Sequence, residues 1–271
     1  MATPSFLKPK RPVLLLIACL GLGAVPLTGY PDTPAERGLA IVTEADRRDA
    51  GWGSLSADLT MVLSNQAGQQ SKRLLRLRLL AGQDDGNKTL LMFDHPTDVK
   101  GTVLLTHAHK GHDDDQWLYL PALKRVKRIV AAQKAGSFMG SEFAYEDISG
   151  QEIARYTYRY LRDDIYEGLD CFVVERYPVD KNSGYTRQVA WLDKAEYRLW
   201  KVEYYDRKPA LLKTLTMSQY APYLSRYWRP GEMRMQNHQS GKSTLLTLTN
   251  YHLRTGLRDS DFHPGVLDQA H

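Results

Sequence analysis

The chain has 271 residues, of which 42% are hydrophobic and 25% are charged, and its formal net charge at pH 7 is +5. This composition is ordinary for a globular protein of one large domain or two small ones. Residues 1–30 carry three positive charges and no acidic residue, so the rest of the chain has a net charge of +2, which gives nucleic-acid binding no support.

The first predicted element is a signal peptide at residues 1–30. Lys8, Lys10 and Arg11 form a positive start, and the apolar run VLLLIACLGLGAV that follows is too short to span a bilayer comfortably. Cleavage near residues 23–29 would release the rest of the chain into the periplasm. LIAC resembles a lipobox, but cleavage before Cys19 would leave an apolar run of only about five residues, so we favour a chain without a lipid anchor.

A single helix is predicted to open the remaining chain. Thr33 and Glu36 match a capping box, Pro34 takes the first helical position, and Gly51 is placed to end the helix. Beyond it, apolar and polar residues alternate in short runs, which is typical of strands with one buried face. In the first two runs the apolar face holds Leu55, Ala57, Leu59, Met61, Leu63, Leu75, Leu77 and Leu79.

Similar runs continue to the end of the chain and are broken by Gly, Pro, Asn or Asp. Strands joined by short loops pair antiparallel, so the pattern predicts a meander of about ten strands. Since no repeat or long linker interrupts it, we expect residues 31–271 to form one domain. The predicted fold is mainly β, a large and strongly bent antiparallel sheet with the helix packed against its concave face.

Residues 131–150, AAQKAGSFMGSEFAYEDISG, interrupt the alternation. Gly136 and Gly140 flank a group of apolar residues, namely Phe138, Met139, Phe143 and Tyr145. Such a stretch is either a plug folded into a core or a mobile cover over an apolar cavity. Spacing alone favours the plug.

His107, His109 and His112 lie within six residues and precede three aspartates. HAHKGH resembles the zinc motif of metallo-β-lactamases, but Gly111 replaces the aspartate that would bind the second metal. We therefore interpret the stretch as a polar turn that holds no structural metal. SGKST lacks the leading glycine and the following helix of a phosphate-binding loop, and Cys171 is expected to be a buried strand residue.

Longer phrases carry a resemblance to a family. DDDQWLYLPALKRVKRI, GSFMGSEFAYEDI, SGYTRQVAWLDKAEYRLWKVEYYD and LLKTLTMSQY resemble the outer membrane lipoprotein-sorting proteins, a LolA-like group, and the similarity extends over residues 38–262. The resemblance implies a half-open antiparallel β-barrel closed by helices, with an apolar cavity for acyl chains. It implies no enzymatic activity and no cofactor, and it suggests association with an RND-superfamily exporter.

Under this resemblance we expect a periplasmic, monomeric carrier of a lipoprotein or lipid that contacts the membrane transiently. The candidate cavity residues are Leu59, Met61, Leu63, Leu75, Leu77, Phe93, Trp117 and Tyr119. The candidate lid residues are Phe138, Met139, Phe143 and Tyr145. The candidate docking patch for anionic headgroups or an acidic partner is Lys124, Arg125, Lys127 and Arg128. Two alternatives stay open, an exporter adaptor that carries nothing and a metal-dependent hydrolase.

Overall fold

The structure is a computed structural model that describes Met1 and residues 33–149 and 152–269. The predicted signal peptide and Cys19 lie outside this part of the chain. Among the described residues, no helix has the length and apolar character needed to cross a membrane. Helix α1 (Pro34–Asp49) begins at the predicted capping box, in which Thr33 and Glu36 bond to each other's backbone N–H groups.

The described chain contains fifteen strands and a second, four-residue helix, α2 (Tyr145–Ile148). The strands are β1 (Ser54–Ser64), β2 (Gln70–Leu80), β3 (Lys88–His95), β4 (Val103–His107), β5 (Asp115–Leu120), β6 (Arg125–Ile129), β7 (Tyr156–Tyr166), β8 (Leu169–Pro178), β9 (Arg187–Asp193), β10 (Leu199–Tyr205), β11 (Leu211–Ser218), β12 (Ala221–Tyr223), β13 (Tyr227–Arg229), β14 (Glu232–Asn237) and β15 (Ser243–Leu253). Short 3₁₀ turns occupy Pro121–Leu123, Ala131–Gln133, Ile153–Arg155, Asp259–Phe262 and Pro264–Val266.

Thirteen of the described strands form one strongly curved antiparallel sheet that does not close into a barrel, in the order β6-β5-β4-β3-β2-β1-β15-β14-β11-β10-β9-β8-β7. The chain therefore makes two meanders rather than one. Strand β1 pairs with β15, so the first and last strands lie side by side within the sheet. Strands β12 and β13 form a separate hairpin.

The apolar alternation predicted for β1 and β2 is confirmed, and the register explains how one apolar face extends across the sheet. Leu59 lies opposite Leu75, and Leu75 lies opposite Phe93. These residues belong to the largest buried cluster, which also takes side chains from β4 to β15. We call this side of the sheet the inner face, because a curved sheet gathers the side chains of its concave side into one cluster.

The opposite, outer face is also covered over β3, β4 and β5. Leu90, Met92 and Val103 pack there against Phe262 and Leu267, which are fully buried. The two 3₁₀ turns after β15 bring these C-terminal residues into place. Strands β3 to β5 are thus apolar on both sides.

Helix α1 packs mainly against β7, the edge strand, and Ile41 reaches the inner cluster. Gly38 permits this close approach, since a Cβ atom there would lie 2.7 Å from the backbone nitrogen of Tyr160. The helix thus lies at the β7 edge of the sheet and sends Ile41 into the cluster on the inner face, and its packing against the concave face stays a prediction.

Candidate functional site

An open cavity of about 960 Å³ lies at the end of the sheet where β1, β10 and β14 begin. The C-terminal turn of α1 and the β12–β13 hairpin form its other walls. We call it the end cavity. It is lined by Ala45, Arg47, Arg48, Asp49, Trp52, Leu55, Leu79, Asn87, Glu196, Tyr197, Arg198, Leu199, Met217, Tyr220, Pro222, Ser225, Arg226, Trp228, Arg229 and Pro230.

Part of the cavity wall continues the inner face. Leu55 and Leu79 lie opposite each other at this end of β1 and β2, on the same side as Leu59 and Leu75. Leu199 and Met217 add apolar surface from β10 and β11. Leu55 is only 2% exposed, so the apolar surface that faces the cavity comes from half-buried residues, Leu79, Leu199 and Met217. The apolar inner face is thus partly open at this end.

Arginines form much of the remaining wall. Arg47 and Arg48 both hydrogen-bond to Glu44, and these bonds lower the pKa of Glu44 to about 2. Arg48 also donates to the carbonyl of Ala195 at 2.8 Å and lies 4.3 Å above the Tyr197 ring. These contacts join the last turn of α1 to the turn before β10.

Arg198 lies among aromatic rings, with its guanidinium 4.5 Å from the centre of the Trp228 ring and 5.6 Å from that of Tyr220. Its Nε atom donates to Asp193 at 2.8 Å. Buried aromatic faces stabilise a cation by attraction to the ring quadrupole. Burial raises the pKa of Tyr220, so its hydroxyl stays neutral and donates to the carbonyl of Leu199.

Two further arginines meet the end of α1. Arg229 donates to Asp49 at 2.6 Å, and Arg226 donates to the carbonyl of Ala50 at 3.2 Å. Burial raises the pKa of Asp49 even though Arg229 acts in the opposite direction. The end of α1 is thereby tied to β13 and to the turn before it.

The β12–β13 hairpin covers the end cavity. In the described chain it pairs with no strand of the large sheet, and its turn residues Leu224 and Ser225 have positive φ angles. Tyr227 anchors it, since this side chain is 2% exposed and packs with Trp52 and Leu55. The hairpin is also held by the contacts of Arg226 and Arg229 with α1 and by the Tyr223 ring, which lies 5.1 Å from that of Tyr251.

The predicted cavity residues divide between two places. Leu59, Met61, Leu75 and Phe93 are buried on the inner face, and Leu63 and Leu77 are half-buried beside them. Trp117 and Tyr119 are not on that face, because alternation along β5 turns Leu118 and Leu120 inward and packs Trp117 and Tyr119 into the outer cluster. Trp117 and Tyr119 therefore lie on the opposite face of the sheet from the other six predicted cavity residues.

Residues 131–149, which we call the inner segment, cover the inner face toward the end opposite the cavity. Phe138 is fully buried and Phe143 is 2% exposed, and the Phe138 ring lies 5.9 Å from that of Phe93. Lys213 donates to the Asp147 carboxylate at 2.7 Å, and both side chains are buried. The predicted lid residues are thus close to the predicted cavity residues and fill the space above them.

The predicted docking patch lies at the exposed edge strand β6 and in the residue before it. Lys124, Arg125, Lys127 and Arg128 are all exposed, and Arg128 forms an ion pair with Asp115. Three apolar residues of the same stretch are also exposed, namely Leu123, Val126 and Val130.

The histidine turn joins β4 to β5. His107 hydrogen-bonds to the Phe262 carbonyl at 2.7 Å and so holds the C-terminal segment against the outer face. His109 lies between Asp85 and Asp115, with its ring 4.0 Å from the His112 ring.

Potential ligand atoms of Asp85, His109 and His112 lie within 4.8 Å of one another, so these three residues could hold a cation. The sequence interpretation overlooked Asp85, which arrives from the turn before β3. Both ring nitrogens of His109 already face carboxylates, and the absence of a structural metal stays a prediction. Cys171 is buried as expected, and burial raises the pKa of its thiol.

Comparison with known structures identifies the family. A family model described as "Uncharacterized protein" matches residues 85–269. An outer membrane lipoprotein-sorting protein domain from Vibrio parahaemolyticus is 55% identical, with a TM-score of 0.85 over 86% of this chain and 99% of its own. The chain belongs to the outer membrane lipoprotein-sorting protein family.

Two other solved structures share the fold. A DUF1329 family protein from Desulfovibrio piger is 30% identical, with a TM-score of 0.81 over 87% of this chain and 99% of its own. A LolA superfamily protein from Nitrosomonas europaea shares the fold at 21% identity, with a TM-score of 0.66 over 84% of this chain and 98% of its own. No curated protein matches the chain.

Sequence reasoning missed the end cavity. Its walls come from α1, from the start of β10 and from the hairpin, which are far apart in the chain. A signal was present in YLSRYWRP, residues 223–230, where arginines and aromatic residues alternate within a short stretch. No role was predicted for that stretch.

Proposed function

We propose that this protein is a periplasmic carrier that binds the acyl chains of a lipid or lipoprotein and moves them toward the outer membrane. The observation that carries the proposal is the continuity between the apolar inner face and the open end cavity. Membership in the lipoprotein-sorting family supports it, as does the similarity to the lipoprotein-sorting domain from Vibrio parahaemolyticus. The predicted signal peptide would deliver the protein to that compartment.

Acyl binding is energetically reasonable in such a cavity. Each methylene removed from water contributes about 0.8 kcal/mol, so a chain of roughly fourteen carbons offers about 10 kcal/mol. A cavity of about 960 Å³ is in the size range of small-molecule sites. The chain would enter along Leu55 and Leu79 and point toward Leu77 and Leu75.

Longer or multiple acyl chains need more of the inner face than the end cavity exposes. We propose that the inner segment is then the movable cover, with Phe138, Met139, Phe143 and Tyr145 giving way to cargo at Leu59, Met61, Leu63 and Phe93. Acyl chains would replace the apolar contacts that these side chains leave. The buried Lys213–Asp147 pair opposes this movement, so the cargo itself must supply the free energy.

The basic patch of β6 is the proposed docking surface for an anionic membrane or an acidic partner such as an RND-type exporter. Its four cations stand next to exposed Leu123 and Val126, and such a mixture of cationic and apolar groups suits a membrane interface. Docking there would leave the end cavity free for cargo. We propose that the protein acts as a monomer and performs no catalysis.

The decisive test is the lipid content of protein purified from its native compartment, measured by organic extraction and mass spectrometry. We expect acyl lipid at a ratio approaching one per protein. Met217→Trp, which fills the end cavity, should lower this ratio, whereas Leu224→Trp at the exposed hairpin turn should not. Lipid-free native protein that also binds no fluorescent fatty acid would exclude the carrier and leave the non-carrying adaptor.

A further inference from the structure

The end cavity combines an apolar wall with a cationic rim. Among the described residues that line it, five are arginines and two, Asp49 and Glu196, are acidic. A cavity that held acyl chains alone would gain nothing from so many guanidinium groups, because a desolvated charge without a partner is unfavourable. The composition of the wall therefore points to a ligand with one apolar part and one anionic part.

The arginines differ in how fully their charges are neutralised. Arg47 and Arg48 share Glu44, Arg198 pairs with Asp193, and Arg229 pairs with Asp49. Arg226 forms no ion pair with any residue that the structure describes, and its guanidinium donates to the backbone carbonyl of Ala50. A guanidinium group has five N–H donors, so most donors of Arg226 remain available to a ligand.

Arg226 and Arg229 are held close together. Arg226 binds Ala50 and Arg229 binds Asp49, which are consecutive residues at the end of α1. Both arginines belong to the hairpin region. Among the residues that the structure describes, Asp49 is the carboxylate that pairs with Arg229, and Arg226 also lies near it. An incoming anion can therefore bridge the two guanidinium groups and share Arg229 with Asp49.

We propose that the end cavity recognises the anionic headgroup of its amphiphilic ligand, a carboxylate or a phosphate, through Arg226 and Arg229. This rests on the proposed carrier function, and it specifies the class of cargo. The headgroup stays at the rim while the acyl chain follows Leu55 and Leu79 inward. Arginine suits this role because its planar fork can donate two parallel hydrogen bonds to either type of anion.

The test measures displacement of a neutral fluorescent acyl probe from the full chain. The competitors are myristate, tetradecyl phosphate and the neutral monoglyceride of myristate, which share one chain length. We expect the two anionic ligands to bind about tenfold or more tightly than the glyceride, which corresponds to about 1.4 kcal/mol. Inorganic phosphate at the same concentrations should not displace the probe, since it lacks the chain.

Arg226→Gln with Arg229→Gln should abolish the preference for anionic ligands, so that myristate and tetradecyl phosphate bind no more tightly than the glyceride. Arg234→Gln on exposed β14 is the matched control, because it removes one positive charge outside the cavity. Arg226→Gln alone repeats the test at an exposed turn if the double variant is less stable. Its effect should decrease as salt is raised.

The outcomes separate the two proposals. If the wild-type protein binds neither the probe nor any amphiphile, the carrier function itself is wrong. If it binds all three ligands equally and the arginine variants behave like Arg234→Gln, the carrier stands and the headgroup assignment is wrong. Displacement by inorganic phosphate alone would show that the rim binds a free anion rather than a lipid.

Discussion

Two segments cover the inner face, and they differ in how firmly they are attached. The inner segment, residues 131–149, inserts buried aromatic side chains into the main cluster and carries a buried ion pair. The β12–β13 hairpin pairs with itself, exposes Leu224 at its turn and inserts one fully buried side chain, Tyr227. The inner segment is therefore the more firmly attached of the two covers, and the β12–β13 hairpin is the less firmly attached one.

The glycine content of the two segments suggests that the inner segment is the more loosely attached one. The inner segment contains Gly136 and Gly140, which suggested backbone freedom, whereas the hairpin turn contains no glycine and adopts positive φ angles at Leu224 and Ser225. What decides attachment is the free energy of the contacts that must be broken, not the freedom of the backbone between them. Four predictions test this difference.

The largest effect is expected from Phe138→Ala combined with Phe143→Ala. Each change removes a buried ring from the main cluster and should cost about 3–5 kcal/mol, which together approaches the whole stability of a typical domain. Leu224→Ala at the hairpin turn should change the free energy of unfolding by less than about 0.5 kcal/mol. Urea denaturation measures the free energy of unfolding of both variants. A small loss of stability in the double variant would show that the inner segment is loosely held.

Lys213→Met should cause the next largest loss of stability. It leaves the buried Asp147 carboxylate without its cation, although Tyr185 and the backbone of Ala144 still donate to it. Breaking such a pair costs about 3 kcal/mol or more. Arg76→Met is the matched control, since the Arg76–Asp94 pair is partly exposed and should contribute about 0–1 kcal/mol. Equal losses in the two variants would mean that Asp147 finds another donor or water when Lys213 is removed.

Hydrogen exchange should distinguish the two covers directly. In the free protein we expect amides of residues 221–229 to exchange about tenfold or more faster than those of residues 137–148, because the hairpin opens at a lower free energy. Myristate in the end cavity should slow exchange in the hairpin. Slower exchange in the hairpin than in the inner segment before ligand is added would reverse the comparison.

The smallest effect concerns pH and Glu146 of the inner segment. Burial raises the pKa of this carboxyl above that of an ordinary glutamate, although Ser183 and Gly184 donate to it and Lys213 lies near it. The folded state therefore binds the proton more tightly than the unfolded state does, and stability falls as pH rises through the raised pKa. Relative to Glu146→Gln, the wild type should lose stability between mildly acidic and neutral pH in paired denaturation curves. A constant difference across that range would contradict the assignment.

The sequence predicted what local patterns determine. The capping box at Thr33 fixed the start of α1, and alternation identified the apolar side of β1 and β2. Alternation failed at β5, where Trp117 and Leu118 are both apolar and the pattern cannot tell which of them faces inward. The outer position of Trp117 depends on Phe262 and Leu267, which arrive from the other end of the chain.

The end cavity could not be predicted from the sequence for the same reason. Arg48, Arg198 and Arg229 come from three separate segments, and no spacing in the sequence brings them together. The lining residues could be identified only after the order of the strands was known. The predicted lid residues and six of the predicted cavity residues, by contrast, are close in the structure. The six cavity residues followed from local alternation along β1, β2 and β3, and the lid residues lie in a phrase that resembles the family.

The pairing of β1 with β15 has a consequence for how the molecule is made. One edge of β1 pairs with β15, Ser243–Leu253, which lies more than 170 residues later in the chain. Until that stretch has left the ribosome, β1 and β14 are bare edges and the two halves of the sheet have no common register. The finished sheet is therefore assembled only after synthesis is nearly complete, and a slow, late closing step is expected from such distant contacts. For the proposed periplasmic carrier, this interval would leave the chain open enough to be threaded through a membrane pore.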